Sequence, residues 1–461
     1  MGTFLNLDND CICALATAWG PSAIAIIRLS GRGCGLKIRK LIRPCLDEHH
    51  FHTRFIRFAT FVDLEEKPCD QIILIHFPGP RSFTGEDSVE LQCHGAPVII
   101  DAILDTLLSS GFRHARRGEF TRRAFLNGKI DLLQAESIQD LIHANNLHHA
   151  RQHLGNLEGL FSQKIIDIKS RILSILGQIE ATIDFPEDDI DPLSQDRLLK
   201  DLVQSSEMIS TWLRENFNAN QTRRTPHCVI HGQSNVGKST LFNALLGKQR
   251  SIVSDLPGTT RDYIQETIIV HHFQMILTDT AGIRPTSGEI ERMGMQKSLE
   301  ILQEADLVLF VIDGVMGWTM NDTELFQQIE ERNYLILVNK CDLVPEVLIH
   351  FPESAISDEK IMYISSLSAE DLERVKQNMM IRLNLGKESE GFISFNDRQR
   401  ECLKSTLSCL ITAEGMLIHH ADLELVAIKV REGIEKLAEM MGENISESLL
   451  DHLFSKFCIG K

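Results

Sequence analysis

The sequence predicts a multidomain protein with an α+β N-terminal domain, an all-α helical domain, and an α/β domain inserted into the helical one. Three patterns carry this prediction. Alternating apolar runs broken by glycine and proline fill residues 1–125. Apolar residues at three- and four-residue spacing run through 126–221 and 386–461. Between these two stretches, in 222–385, strand-like and helix-like segments alternate. The length of 461 residues also exceeds one ordinary hydrophobic core.

The N-terminal domain is predicted to combine a sheet with a helix. Its clearest elements are the strands Ala23–Leu29, Gln71–Phe77 and Ser88–Cys93 and the helix Pro97–Ser110. Cys11 and Cys13 lie in a further alternating apolar run, which favours strand positions over metal ligands for both cysteines.

The helical domain is predicted in two parts. Long helices are expected from Leu132 to Ile183 and from Ser194 to Asn216, with the acidic segment Asp184–Asp191 as a turn between them. Helical spacing returns from Asn396 to Ile459. Because the termini of a compact domain usually lie close together, we expect the α/β domain to be an insertion between the two helical parts.

The α/β domain is predicted to be doubly wound, with strands that each lead into a polar loop. The predicted strands are Cys228–His231, Gln274–Thr278, Leu307–Ile312 and Leu335–Val338.

The charge distribution restricts the classes of partner. A formal net charge of −17 argues against indiscriminate nucleic-acid binding over the whole surface. Residues 1–127, however, hold 15 basic against 14 acidic residues. Five arginines fall close together in this near-neutral segment: Arg113, Arg116, Arg117, Arg122 and Arg123. They form either a locally ion-paired turn or a phosphate-binding patch, and the sequence favours neither.

The compartment is predicted to be the cytoplasm. The sequence has no apolar run of the roughly 20 residues that span a membrane, and the N-terminus does not resemble a signal peptide. Eleven cysteines without a C-x-x-C pair argue against both zinc and a disulfide framework.

Four short motifs in the α/β domain predict a guanine-nucleotide site. They are Gly232-Gln-Ser-Asn-Val-Gly-Lys-Ser239, Thr259-Thr260, Asp279-Thr-Ala-Gly282 and Asn339-Lys-Cys-Asp342. The first follows a strand and opens a helix, which is the context of a phosphate loop. Lys238 is expected to reach the β- and γ-phosphates. The Asp342 carboxylate is expected to accept hydrogen bonds that guanine offers and adenine does not.

The same motifs predict a Mg²⁺ site. The Ser239 hydroxyl and Thr260 are the expected ligands, and Asp279 is expected to hold the ion through water. Many small GTPases place a water-orienting glutamine directly after the third motif, but this chain has Ile283 there. Water positioning must then come from elsewhere, or hydrolysis is very slow. The Asn235 amide could hold a monovalent cation, while Glu291, judged by spacing alone, fits an ordinary exposed glutamate better than a catalytic one.

With these motifs in view, the chain resembles the MnmE (TrmE) family of tRNA modification GTPases over essentially its full length. The matching stretches outside the nucleotide motifs are Ser82–Asp87, Val89–Gln92, Gly118–Phe120, Arg123–Asn127, Lys129–Leu132 and the terminal Phe457-Cys-Ile-Gly-Lys461. The terminal stretch is highly specific, because few GTPases end in Cys-x-Gly-Lys.

The resemblance implies an enzyme that works with the FAD-containing protein MnmG. Together they would add an aminomethyl or carboxymethylaminomethyl group to C5 of the wobble uridine, position 34, of certain tRNAs. A tetrahydrofolate derivative, 5-formyl or 5,10-methylene, would supply the carbon. The residues that the resemblance assigns to the folate are Arg28, Glu90, Lys129 and Lys461. It also implies that the N-terminal domain binds folate and dimerises, and that a heterotetramer or larger complex forms with MnmG. Cys458 matches the family cysteine, and its role stays open.

The resemblance further implies K⁺-stimulated pairing of two GTPase domains in a homodimer. The implied K⁺ ligands are Asn235, Ser254, Leu256 and Thr259, and Glu291 becomes the water-orienting residue, which overturns its assignment from spacing. With Lys238 and Asn235, Glu291 completes the predicted catalytic set. The predicted GTP contacts are Asn235, Val236, Gly237, Lys238, Ser239, Thr240, Ser254, Asp255, Leu256, Pro257, Gly258, Thr259, Thr260, Asp279, Thr280, Ala281, Gly282, Asn339, Lys340, Asp342, Ser365, Ser366 and Leu367.

Three positions depart from the family pattern. Position 254 is serine where threonine is common, the N-terminal stretch Ala18–Ile24 holds one glycine where many members are glycine-rich, and Ser365–Leu367 only approximates the usual base-contacting loop. An alternative function of another class is a GTP-dependent ribosome-assembly or RNA-binding factor, which would bind no folate and would tolerate loss of Cys458–Lys461. A pure signalling switch fits poorly with a helical domain that the GTPase domain interrupts.

Overall fold

The computed structural model describes residues 10–184, 192–220, 225–247, 264–279, 299–344, 349, 351, 357–385 and 394–461. The chain divides into two compact units. Unit 1 comprises Met1–Ile142, His153–Leu213 and Phe395–Lys461, and unit 2 comprises His143–Gln152 and Arg214–Ser394. The boundaries predicted at residues 125, 221 and 385 remain predictions.

Unit 1 begins with a seven-stranded sheet in the order β3-β4-β5-β6-β2-β1-β7. The strands are β1 (Cys11–Leu15), β2 (Ser22–Ser30), β3 (Ile42–Arg43), β4 (Phe55–Val62), β5 (Pro68–Phe77), β6 (Ser88–Gly95) and β7 (Phe112–His114). Neighbouring strands are antiparallel except for the parallel pair β1 and β7. The helices of this part are α1 (Cys34–Ile38), α2 (Pro97–Ser109) and α3 (Glu119–Leu126).

The α+β prediction for this region is confirmed, and so is the strand position of Cys11 and Cys13, which are buried in β1. All eleven cysteines are free thiols. The strand register also positions side chains for the site described below, because Arg28 in β2 pairs directly with Glu90 in β6. Directly opposite residues in antiparallel strands point to the same face of the sheet, about 5 Å apart.

The rest of unit 1 is helical. The helices are α4 (Leu132–Ile142), α5 (Leu147–Leu157, shared with unit 2), α6 (Leu160–Asp184), α7 (Pro192–Asn220, also shared with unit 2), α11 (Asp397–Ile418), α12 (Leu423–Met441) and α13 (Glu447–Ser455). Buried isoleucines recur along α6 at three- and four-residue spacing, as an amphipathic helix requires. Glu136 of α4 pairs with Arg398 of α11, with Nε and Oε1 2.7 Å apart, so helices from both sides of the unit 2 sequence join in one core. The acidic turn predicted at Asp184–Asp191 lies outside the described residues beyond Asp184.

Unit 2 contains a six-stranded sheet in the order β13-β12-β11-β8-β10-β9. The strands are β8 (His227–His231), β9 (Ile264–Val270), β10 (Phe273–Asp279), β11 (Leu307–Asp313), β12 (Tyr334–Asn339) and β13 (Ile361–Tyr363). The helices are α8 (Lys238–Leu246), α9 (Met320–Phe326) and α10 (Ala369–Arg382), and residues 299–304 are also helical.

The α/β prediction is confirmed, with two strands that the pattern did not predict, β9 and β13. β9 pairs antiparallel with β10, whereas the other strand pairs of this sheet are parallel in the described residues. The parallel strands β8, β10, β11 and β12 end at one edge of the sheet, so the loops that follow them lie together. No helix among the described residues is long and apolar enough to cross a membrane.

Candidate functional site

The predicted phosphate loop joins β8 to α8, and two of its glycines are sterically required. Gly232 has φ 142°, and a Cβ there would lie 2.2 Å from the Val311 carbonyl oxygen. Gly237 has φ 103°, and its Cβ would lie 2.2 Å from Asn339 Nδ2. Only glycine tolerates both the backbone angles and the contacts, so the sequence spacing of the motif follows from close packing against β11 and β12.

Lys238 is buried beneath this loop and holds its backbone. Its Nζ donates hydrogen bonds to the carbonyl oxygens of Gly232 at 2.8 Å and Gln233 at 2.5 Å. Burial lowers the pKa of Lys238, and the nearby Asp279 carboxylate partly opposes that shift. The ammonium group therefore lies at the N-terminus of α8, where the helix and the loop amides favour an anion.

Two oxygen groups that suit Mg²⁺ meet beside the loop. Ser239 Oγ donates to Asp279 Oδ2 at 2.9 Å, and Asp279 is buried at the end of β10. Hydroxyl and carboxylate oxygens are the ligands of a hard divalent cation, so this pair fits Mg²⁺. The second predicted ligand, Thr260, lies outside the described residues.

Asn339 joins the phosphate loop to the loop predicted to contact the base. Its Nδ2 donates to the Val236 carbonyl oxygen at 2.8 Å. Its Oδ1 accepts from the Ser366 amide at 3.0 Å and from the Ser366 hydroxyl at 2.8 Å. Asn339 is buried, so these bonds are shielded from water. The structure thus brings the approximate Ser365–Leu367 motif to the first residue of the fourth motif.

The neighbouring residues differ in exposure. Asp342 lies exposed in the short turn Cys341–Leu343, and Leu367 is 80% exposed. The Ser365 amide donates to Asp371 Oδ2 at 2.9 Å, which fixes the loop from the α10 side. The Asp342 carboxylate, which the fourth motif predicts to contact guanine, is therefore open to solvent, while the Ser365 backbone behind it is fixed by a hydrogen bond.

Asp313 is a member of this site that the motifs did not identify. Lys340, at φ 64°, extends its Nζ to Asp313 Oδ2 at 2.6 Å and to the Asn235 carbonyl oxygen at 2.9 Å. Burial alone would raise the pKa of Asp313, but the Lys340 hydrogen bond and the Val315 amide lower it. Its position as the last residue of β11, at the same sheet edge as the motifs, was the available signal.

Thr240 follows Ser239 in α8 and is exposed, and twelve other residues named for this site lie outside the described residues. Those that lie outside the described residues are Ser254, Asp255, Leu256, Pro257, Gly258, Thr259, Thr260, Thr280, Ala281, Gly282, Ile283 and Glu291. Of the predicted K⁺ ligands, the structure describes Asn235, an exposed residue at φ 67°.

In unit 1, three of the four predicted folate residues lie together. Arg28 contacts Glu90 through two nitrogens, Nη2 at 2.9 Å and Nε at 3.1 Å from Oε1. Its remaining nitrogen Nη1 donates to the Gly460 carbonyl oxygen at 3.2 Å. Lys461 is half-buried beside them, and burial, followed by the Arg28 charge, lowers its pKa.

The C-terminal tail is fixed in this position by close packing. Gly460 has φ 90°, and a Cβ there would lie 2.5 Å from the Leu15 carbonyl oxygen. Gly118 has φ 64°, and its Cβ would lie 2.6 Å from the Phe454 carbonyl oxygen. The buried Phe457 precedes the exposed Cys458 thiol. The chain end is therefore part of the N-terminal site.

Lys129, the fourth predicted folate residue, makes a different contact. Its Nζ donates to the Pro80 carbonyl oxygen at 3.0 Å, and its stem lies beside Gly85. In the described part of the chain, no hydrogen bond or ion pair joins Lys129 to Arg28, Glu90 or Lys461.

The arginine cluster is mainly ion-paired, as the first of its two interpretations predicted. Arg113 and Arg123 share the carboxylates of Asp10 and Glu119, and Arg123 also pairs with Glu86 at 3.0 Å. Burial alone would raise the pKa of Glu119, but the hydrogen bonds from Arg113, the Arg116 amide and Arg123 lower it to about 2.

The other three arginines differ in their surroundings. Arg122 Nη2 lies 3.5 Å from carboxylate oxygens of Glu447 and Asp451. Arg116 and Arg117 are exposed, so the interpretation as a phosphate-binding patch is reduced to these two residues.

Comparison with known proteins covers nearly the whole chain. A family model described as the MnmE helical domain matches residues 132–458, and one described as the GTP-binding protein TrmE N-terminus matches residues 11–129. The tRNA modification GTPase MnmE of Magnetococcus marinus is 36% identical over 465 residues, covering 98% of both chains. The protein of the same name from Fervidobacterium nodosum is 36% identical over 459 residues, covering 99% of this chain and 98% of that one.

Proposed function

This chain belongs to the MnmE family of tRNA modification GTPases, and from that membership we propose a folate-dependent reaction on the wobble uridine. With MnmG, which carries FAD, it adds an aminomethyl or carboxymethylaminomethyl group to C5 of uridine 34 in certain tRNAs. A tetrahydrofolate derivative supplies the one-carbon unit. The GTPase cycle controls when this reaction runs.

The observation that carries the proposal is the C-terminal tail held beside Arg28 and Glu90. A pterin ring offers both donors and acceptors, which the Glu90 carboxylate and the Arg28 guanidinium match. Folate also carries an anionic glutamate tail, which suits an ammonium group such as that of Lys461 or Lys129. The alternative function, a ribosome-assembly factor, does not require the chain end to be fixed next to such a charge pair.

The charges of this site also fit a folate. The lowered pKa of Lys461 means that burial already opposes its positive charge. An anionic ligand would relieve that cost, because an opposite charge nearby favours the protonated amine. When bound, the folate supplies a one-carbon group at the oxidation level of formaldehyde or formate. The chain itself contributes the orientation of that group.

For GTP, separate groups of described residues bind the phosphates, the metal ion and the base. Lys238 and the amides of the phosphate loop bind the phosphates, and Ser239 with Asp279 would hold Mg²⁺. Mg²⁺ neutralises phosphate charge when it is bound. Asp342 reads guanine, while Asn339 and Ser366 keep the base loop against the phosphate loop.

Hydrolysis is proposed to require K⁺ and a second copy of the chain. Ile283 has no group that could orient water, so Glu291 takes that role. Asn235, Ser254, Leu256 and Thr259 would hold the cation. Asn235 lies exposed at the surface of the phosphate loop, and this position supports a cation site that a second copy of the chain can reach.

The folate part of the proposal is tested by calorimetry with 5-formyl-tetrahydrofolate. We expect the full-length protein to bind, and both the Glu90→Gln variant and a protein ending at Phe457 to bind at least tenfold more weakly. Equal affinity in all three would contradict the folate site and favour the ribosome-assembly alternative.

The GTPase part is tested separately by hydrolysis rates in K⁺ and in Na⁺, with Glu291→Ala as the variant. We expect a higher rate in K⁺ for the parent protein and a large loss of that rate in the variant. Equal rates in the two salts would remove the cation-dependent mechanism and leave the folate proposal untouched.

A further inference from the structure

A group of metal-ligating side chains lies in unit 1 outside the folate and nucleotide sites. One ligand atom from each of Asp47, His49 and His50 lies within 4.8 Å of the others. Among the residues that the structure describes, this is the one such group of three or more His, Cys, Asp or Glu side chains. We propose that these three residues bind a divalent transition-metal ion, with Zn²⁺ as the best match.

The backbone that carries the three ligands is fixed by its buried neighbours. They lie on the short 3₁₀ turn Glu48–His52 and the residue before it, in the connection between β3 and β4. Leu46 and Phe51 flank the ligands, and both are buried in the core. The ligands therefore project from a turn that is anchored on each side.

The carboxylate is free to bind a cation. Asp47 is the N-cap residue of the turn, yet its side chain makes no capping hydrogen bond. An N-cap aspartate usually accepts a hydrogen bond from a backbone amide of the first turn. The exposed carboxylate of Asp47 is thus available to a ligand.

One histidine is already oriented as metal-binding histidines usually are. His50 Nδ1 lies 3.3 Å from the Asp47 carbonyl oxygen. Because a carbonyl oxygen only accepts, Nδ1 is the donor in this contact, which leaves Nε2 as the nitrogen that would bind the metal. A backbone carbonyl that fixes the tautomer in this way is the common outer partner of a metal-bound histidine. The edge of Phe55, with ring centroids 6.1 Å apart, further limits the His50 ring.

The donor set selects the class of metal. Two imidazoles and one carboxylate suit Zn²⁺ and its neighbours, whereas Mg²⁺ and Ca²⁺ prefer oxygen ligands only. Zn²⁺ binds such ligands at about 2.0–2.2 Å, so small side-chain rotations of exposed residues would close the group around an ion. Three protein ligands leave one tetrahedral position open for water or another donor.

The proposal is tested by isothermal titration calorimetry, in which ZnCl₂ is added to the full-length protein in excess Mg²⁺. The parent for this experiment carries Cys45→Ser and Cys458→Ser, because these are the exposed thiols and thiols also bind zinc. Loss of an outer-shell partner alone costs about 10–100-fold in metal affinity, so His49→Ala and His50→Ala should each weaken binding at least tenfold.

His52→Ala is the matched control, since His52 is exposed on the same turn but is not in the group. We expect its zinc isotherm to match that of the parent. The proposal is overturned if His49→Ala and His50→Ala bind zinc like the parent, or if His52→Ala weakens binding as much as they do. Circular dichroism without zinc should be the same for all variants, because each substitution removes an exposed or half-exposed side chain.

Discussion

Replacing Gly460 by alanine should release the C-terminal tail from the N-terminal site while leaving the fold intact. Gly460 has φ 90°, which costs an L-residue roughly 1–2 kcal/mol. Its new Cβ would also lie 2.5 Å from the Leu15 carbonyl oxygen and 2.9 Å from the Ala16 Cα. Both are backbone atoms that cannot rotate away, so the tail must shift.

The magnitude follows from these two contributions. The strain alone is about the 1.4 kcal/mol that corresponds to a factor of ten, and the clash adds to it. We therefore expect Gly460→Ala to weaken 5-formyl-tetrahydrofolate binding by at least tenfold. The buried Phe457 stays in place, so the free energy of unfolding should change little.

The chain offers a control for the strain alone. Gly111 has φ 86°, and a Cβ at Gly111 would meet no atom within 4 Å. Gly111→Ala therefore introduces a similar backbone strain without a clash and far in sequence from the tail. Calorimetry should give parental folate affinity for Gly111→Ala. Parental affinity for Gly460→Ala as well, or equal losses in both variants, would refute the reasoning that tail docking forms the site.

Three further predictions concern the nucleotide site and the pH dependence of stability. Asn339→Ala leaves the Val236 carbonyl and the Ser366 amide without partners, which costs about 1–3 kcal/mol for a buried group. GDP affinity should therefore fall at least tenfold by fluorescence titration, whereas Asn378→Ala, at a half-exposed position of α10, should not change it. Burial, followed by the Lys238 charge, lowers the pKa of His231 to about 4. As pH falls below about 6.5, His231 is protonated in the unfolded chain before it is protonated in the fold. The free energy of unfolding, measured in urea, should therefore be roughly 2 kcal/mol lower at pH 5 than at pH 7. This decrease should be smaller in His231→Phe. The pKa of Glu119 is about 2 in the fold against an ordinary 4.5. Its ion pairs should therefore contribute about 3 kcal/mol to the free energy of unfolding above pH 4.5, and this contribution should disappear as pH falls toward 2. A Glu119→Gln protein with the same acid transition as the parent would contradict this.

The sequence predicted local elements well because their signals are local. Runs such as Ser88–Cys93 and Leu307–Ile312 alternate or continue in apolar character, and both are strands in the structure within two residues. β9 and β13 were not predicted. β13 has three residues, too few to show an alternating pattern, and the antiparallel pairing of β9 with β10 depends on contacts between strands that the residues of β9 do not specify.

The residues of the candidate nucleotide site were predicted only where they belong to a sequence motif. Lys238, Ser239 and Asn339 lie where the motifs require, but Asp313 depends on which strand ends meet at one sheet edge. The arginine cluster shows the same limit. Whether Arg113 and Arg123 face solvent depends on Asp10, which is about a hundred residues away in sequence and adjacent in space. Long-range contacts of this kind arise from tertiary packing and have no local pattern.

The measurement that tests the central claim most directly is the mass of the wobble uridine in tRNA from cells whose only copy of this gene carries a tail variant. Cells with the parent protein or Gly111→Ala should contain the modified nucleoside, and cells with Gly460→Ala or with a protein ending at Phe457 should accumulate uridine without the C5 group. Full modification in cells with the truncated protein would contradict the claim that the tail beside Arg28 and Glu90 forms the modification site.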